Sequence, residues 1–149
     1  MKRIVLYIAA LGLVFLGDRG TDIGSLRPVE LVQLTQQRGM LILKTDTGDV
    51  GWGLTVEQAV EKLIETTPGQ IYLDTADYLL LEKGTEEYLP QLQNYLKKRT
   101  RMVYAEKNVD LEDTAAYLRI HMPSKTIKEG VKPEEMLVNK GGKLILKNL

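Results

Sequence analysis

Apolar and polar positions alternate from Glu30 to Gln36, with Leu31, Val32 and Leu34 as the apolar set, and again from Met40 to Thr45 around Ile42. A period of two marks a strand, and Gln37-Arg38-Gly39 stands between the two runs, so the pair reads as a hairpin. Thr45 to Gly53 follows as a glycine-rich loop or bulged strand. The period then changes. Val56, Ala59, Val60, Leu63 and Ile64 recur at helical spacing behind Thr55-Val56-Glu57-Gln58, a capping box in which Thr55 and Gln58 can each satisfy a first-turn N–H, and Pro68-Gly69 stops the helix.

Gln70 to Leu73 and Tyr78 to Leu81 read as strands on either side of Asp74-Thr75-Ala76-Asp77. A second helix is predicted from Thr85 to Arg99. Glu86 and Glu87 fall at its positive end and Lys97-Lys98-Arg99 at its negative end, with Pro90 tolerated only in the first turns. Arg101 to Ala105 is a further strand, and Asp110 caps a third helix with Leu111, Ala115 and Leu118 inward. Pro133-Glu134-Glu135 could open one helical turn, and Lys140-Gly141-Gly142 separates Met136-Leu137-Val138 from Leu144-Ile145-Leu146 as a final hairpin or edge strand. The order ββ-α-ββ-α-β-α-β implies an α/β or α+β domain: a small mixed sheet with about three helices packed on it, covering at least one face.

Ahead of this domain stands a segment without such periodicity. Lys2 and Arg3 precede an apolar run from Ile4 to Leu16, which ends at the charged Gly17-Asp18-Arg19-Gly20. Roughly 13 apolar residues are fewer than a relaxed membrane-spanning helix uses but match the apolar region of a signal peptide. Residues 1–17 therefore read as a signal or membrane anchor, 18–28 as a spacer and 29–149 as one domain. Phe15, Leu16 and Gly17 fit a signal-peptidase pocket poorly, which favours a retained anchor over a secreted product. The positive flank keeps the N-terminus inside and sends the domain to the extracytoplasmic face. The alternative is a buried first strand or helix of a cytoplasmic domain.

Composition removes several functions. Lys+Arg and Asp+Glu stand at 20 each, and setting aside Lys2 and Arg3 leaves 18 basic against 20 acidic residues from Asp18 onward, a balance that argues against the basic face nucleic acid requires. The 149 residues contain no cysteine, which excludes disulfides, thiolate metal sites, a cysteine nucleophile and lipid attachment through sulfur. His121 is the one histidine and stands at a helix end. No glycine-rich phosphate loop or nucleophile elbow is present, and no cofactor is expected.

Candidate chemistry rests on carboxylates. Asp46-Thr47-Gly48 and Asp74-Thr75-Ala76 resemble the Asp-Thr-Gly triplets of aspartic proteases, in which two carboxylates share a proton. Ala76 departs from that pattern, and Asp-rich turns bond their own backbone without any active site. Asp46, Asp49, Asp74 and Asp77 could instead converge on a hard cation, though no calcium-loop spacing accompanies them. Trp52 between Gly51 and Gly53 is either an exposed binding aromatic or a packed one.

Gly51-Trp52-Gly53-Leu54-Thr55-Val56-Glu57-Gln58-Ala59, Ile71-Tyr72-Leu73, Tyr78-Leu79-Leu80-Leu81-Glu82 and Met102-Val103-Tyr104-Ala105 together resemble the N-terminal domain of Ger(x)C proteins, the C subunits of spore germinant receptors. The similarity runs from about Leu31 to about Leu118. It implies a hairpin, helix and strand order like that read above, and a role in sporulation or germination. Gly17-Asp18-Arg19 stands where the family has its lipid-bearing Cys-Trp-Asp-Arg, Asp74-Thr75-Ala76 replaces a histidine after the Tyr-Leu strand, and the family's further C-terminal domains are missing. The expectation is a non-enzymatic, membrane-tethered extracytoplasmic module that docks on a membrane protein. A hydrolase using Asp46 and Asp74, or a module binding a small ligand or cation, is the alternative.

Overall fold

The computed structural model describes residues 26–129 and 131–149. The anchor read over residues 1–17 lies outside them. A seven-stranded mixed sheet has the order β4-β3-β2-β6-β7-β8-β9, from β2 (Leu31–Gln37), β3 (Met40–Thr45), β4 (Val50–Gly53), β6 (Tyr78–Leu81), β7 (Arg101–Ala105), β8 (Glu135–Lys140) and β9 (Lys143–Asn148). β2, β6, β7 and β8 run parallel at the centre, while antiparallel hairpins close both edges. Beside the sheet, β1 (Leu26–Pro28) pairs in parallel with β5 (Gln70–Tyr72). The last residues of the predicted spacer are thus part of the fold.

The central strands bury both faces, as parallel strands between helices do. Val32, Leu34, Leu79, Leu81, Met102 and Tyr104 face one way, under α1 (Val56–Thr66) and the segment containing α2 (Leu89–Leu92). Leu31, Tyr78, Leu80, Val103 and Leu137 face the other way, under Ala115 and Leu118 of α3 (Leu111–Ile120). Of the three hairpins, β2–β3 and β8–β9 use two-residue turns with positive φ at each position, Arg38-Gly39 and Gly141-Gly142. That backbone matches the twist of the flanking strands.

Several sequence expectations are refined here. Thr55 caps α1 by accepting from Gln58 N–H at 3.1 Å, but the Gln58 amide oxygen accepts from Leu54 N–H, one residue outside the cap. Ile64, expected inside, is 57 % exposed, while Val56, Ala59, Val60 and Leu63 are buried. The glycine-rich stretch is an edge strand for a steric reason: a Cβ at Gly51 would stand 2.1 Å from the Ala59 carbonyl oxygen, and one at Gly53 2.5 Å from Gln58 Cβ. Only glycine lets α1 lie directly on β4.

The long helix predicted from Thr85 to Arg99 is a correction. A 3-10 turn, Glu86–Tyr88, leads into α2, which is only four residues long, with Pro90 in its first turn. The Thr85 hydroxyl donates to Glu82 O at 2.7 Å instead of capping, and turns carry the chain on to Leu96. Leu89, Leu92 and Leu96 still reach the core. No helical turn opens at Pro133, because Glu135 already begins β8.

Candidate functional site

Three parallel strands begin together, with Leu31 of β2 opposite Tyr78 of β6 and Tyr78 opposite Arg101 of β7. Both Asp-Thr triplets work at this end. Asp46 Oδ1 accepts the backbone N–H groups of Glu30 at 3.0 Å and Leu31 at 3.1 Å. Thr75 Oγ1 accepts from Val29 N–H at 2.9 Å and lies 2.9 Å from Val29 O and 2.8 Å from Tyr72 O, either of which its hydroxyl can serve as donor. The triplets therefore fasten the same stretch, Val29 to Leu31, from two loops. In the first the carboxylate does so; in the second the hydroxyl does.

Asp74 is exposed on the 3-10 turn Leu73–Thr75 and makes no hydrogen bond among the described residues. No bond links it to Asp46. Asp49 is buried, and the Thr47 hydroxyl donates to its Oδ2 at 2.6 Å, closing the turn between β3 and β4. Asp77 pairs with Lys97. Among the described residues no group of three or more His, Asp or Glu side chains could hold a metal ion.

Trp52 is 41 % exposed on β4. Gly51 and Gly53 point to α1, so alternation along the strand turns Trp52 to the other face, directly opposite Ile42 of β3. Met40, Val50 and Trp52 are exposed there and Ile42 is half-buried, which makes an apolar patch at the sheet edge. Lys62 of α1 reaches round the edge strand, with Nζ 5.2 Å from the indole centre, a cation–π distance.

At the opposite ends of the parallel strands the carboxylates Glu82 and Glu86 are already partnered. Glu82 accepts from Gln36 N–H at 2.8 Å and meets Lys107 at 3.2 Å. Nearby, the Tyr104 hydroxyl donates to Glu86 Oε1 at 2.6 Å. Burial acts to raise the Glu86 pKa, but the bonds from Tyr104, its own N–H and Gly84 N–H outweigh it and hold the carboxyl below its ordinary value. Burial first, then the hydrogen bond to Glu86 and that carboxylate's charge, push the Tyr104 phenol up.

Sequence reasoning did not anticipate a basic surface at the strand starts. Asp77, Tyr78, Lys97, Arg99, Arg101 and Met122 line one surface pocket. Lys97 to Arg99 read as helix-end charges while a long helix was expected; with that helix cut short they stand on the turn into β7. No family model, curated protein or solved structure matches the chain. Among the described residues no helix is long and apolar enough to cross a membrane.

Proposed function

We propose that the chain is a membrane-tethered, extracytoplasmic docking module without catalytic activity. The observation that carries this reading is the order of its parts: Lys2-Arg3, the apolar run from Ile4 to Leu16, a short spacer, and a domain with its own two-sided core. The Asp46 bonds to Glu30 and Leu31 favour a structural over a catalytic use of that carboxylate. The exposed Trp52 and its partner Ile42 are the surface this reading offers to a membrane protein, since aromatic side chains in an apolar patch are frequent contact anchors. The resemblance to Ger(x)C N-terminal domains favours sporulation or germination as the setting.

Fractionation of cells making the full chain tests the tether, with the protein expected in the membrane fraction. Recovery in the soluble cytoplasm overturns it. Incubation of the chain with a peptide library from acidic to neutral pH tests the rest: no cleavage is expected. Cleavage lost in both Asp46→Asn and Asp74→Asn would establish the hydrolase instead.

A further inference from the structure

The basic surface at the strand starts lies where the N-terminal segment joins the domain. β1 runs into Val29, Val29 is held by Thr75, and Lys97 Nζ donates to Thr75 O at 3.2 Å. Lys98, Arg99 and Arg101 follow on the same stretch, and the segment carrying Lys128 is stitched to it: Lys128 N–H donates to Lys98 O at 3.1 Å and Ile127 N–H to Thr100 O at 2.9 Å. Next to these cations two large apolar side chains stand in water, Ile120 at the end of α3 at 79 % and Met122 just past it at 58 % exposure. Met122 lines the pocket with Arg99 and Arg101, and the Arg101 guanidinium donates to Pro123 O at 2.7 Å, which fixes the two parts together. Two carboxylates at this end are engaged, Asp77 with Lys97 and Glu30 with Arg119, which leaves exposed Asp74 against Lys98, Arg99, Arg101 and Lys128.

Exposed cations around projecting apolar side chains match the two parts of an anionic lipid surface, the headgroup charge and the acyl boundary beneath it. Reach supports the same occupant. The residues between Gly17 and Leu26 span at most about 30 Å when fully extended, so a tether through residues 4–16 keeps this end of the domain close to the bilayer.

We infer that the end of the domain formed by Lys98, Arg99, Arg101 and Lys128, with Ile120 and Met122, lies against the anionic lipid headgroups of the membrane that holds the N-terminal segment. This rests on the tether reading above. The domain is thereby oriented, not free to swing.

The chain has no native cysteine, so a single Met122→Cys can be labelled with an environment-sensitive fluorophore in the full-length protein, with Asn108→Cys in the turn beyond the far end of β7 as reference. Both are reconstituted into vesicles of phosphatidylcholine with or without phosphatidylglycerol, carrying lipid-borne quenchers. The expected result is quenching at position 122 but not 108, dependent on phosphatidylglycerol and weakened by salt. Lys98→Glu with Arg99→Glu should shift the docked-to-free ratio by roughly fivefold or more for each site changed. Flotation separates the failures. A chain that does not float with vesicles overturns the tether and this orientation together. One that floats with position 122 as accessible as 108, or quenched equally without phosphatidylglycerol, overturns the orientation alone.

Discussion

Asp46 accepts two backbone N–H groups at the start of a central strand, and removing a carboxylate from such a position leaves both donors without a partner. Asp46→Ala should cost about 2–3 kcal/mol, by the range for bonds to charged groups and for stranded buried donors. Asp74→Ala, at an exposed and unbonded side chain, should stay within about 0.5 kcal/mol. Denaturant melts decide, and equal effects would refute the division of labour between the two triplets. The triplets themselves were plain in the sequence. Their shared target was not, because Asp46 meets residues fifteen and sixteen positions earlier, a contact made by sheet pairing that no local period encodes. Glu86 offers a second test at this scale. Its folded pKa is lowered, so its contribution to stability is present above its ordinary value and is lost as pH falls through the depressed one. Tyr104→Phe removes one of the bonds responsible. NMR titration should then find the Glu86 carboxyl nearer its ordinary value and the acid-side loss of stability smaller; an unchanged titration would show that the Tyr104 bond contributes nothing.

Elements were legible where one short-range rule dominated. The Thr55 cap, the Asp110 cap, whose carboxylate accepts from Asp113 N–H at 2.8 Å, and the strands β2, β3 and β7 all stand where the sequence pointed. Ile64 failed by geometry. At 100° per residue it lies about 90° from the centre of the stripe formed by Val56, Ala59, Val60 and Leu63, far enough round α1 to reach water. Leu63→Ala should therefore cost about 2–5 kcal/mol, the range for truncating a core leucine, and Thr55→Ala about 1 kcal/mol through its cap. Ile64→Ala should be near neutral, within about 0.5 kcal/mol. Gly51→Ala should be at least as harmful as ordinary overpacking, about 1–3 kcal/mol, because the clash is with the Ala59 carbonyl and not with a side chain that can turn away. A melt of Gly51→Ala matching wild type would show that α1 can lift off β4 freely. Steric need of this kind is unreadable in a Gly-Trp-Gly triplet until the opposing helix is in place. The same holds for the turn at Lys97 to Arg99, whose charges took on a different meaning once the predicted helix ended early.

At the scale of the whole chain, the sheet's mixed character and the helical layers followed from the interleaving of short elements, whereas the parallel order of β2, β6, β7 and β8 is a long-range fact set by which faces must be covered together. Both core clusters are built from described residues, with Leu31, Leu34, Leu63, Leu79, Leu80 and Leu118 almost fully shielded from water. Removal of the apolar run at residues 4–16 separates the tether reading from the alternative of a buried first element. If several of those apolar side chains did pack inside, each would contribute about 1.5–3 kcal/mol, and their loss would lower Tm by many degrees. A chain lacking residues 2–17 should instead unfold in one cooperative transition, at a Tm within about 2 °C of the full chain in mild detergent. It should also leave the membrane fraction. A truncated chain that is molten, or that melts far below the full-length protein, would mean that the apolar run is part of the core and that the membrane is not its destination.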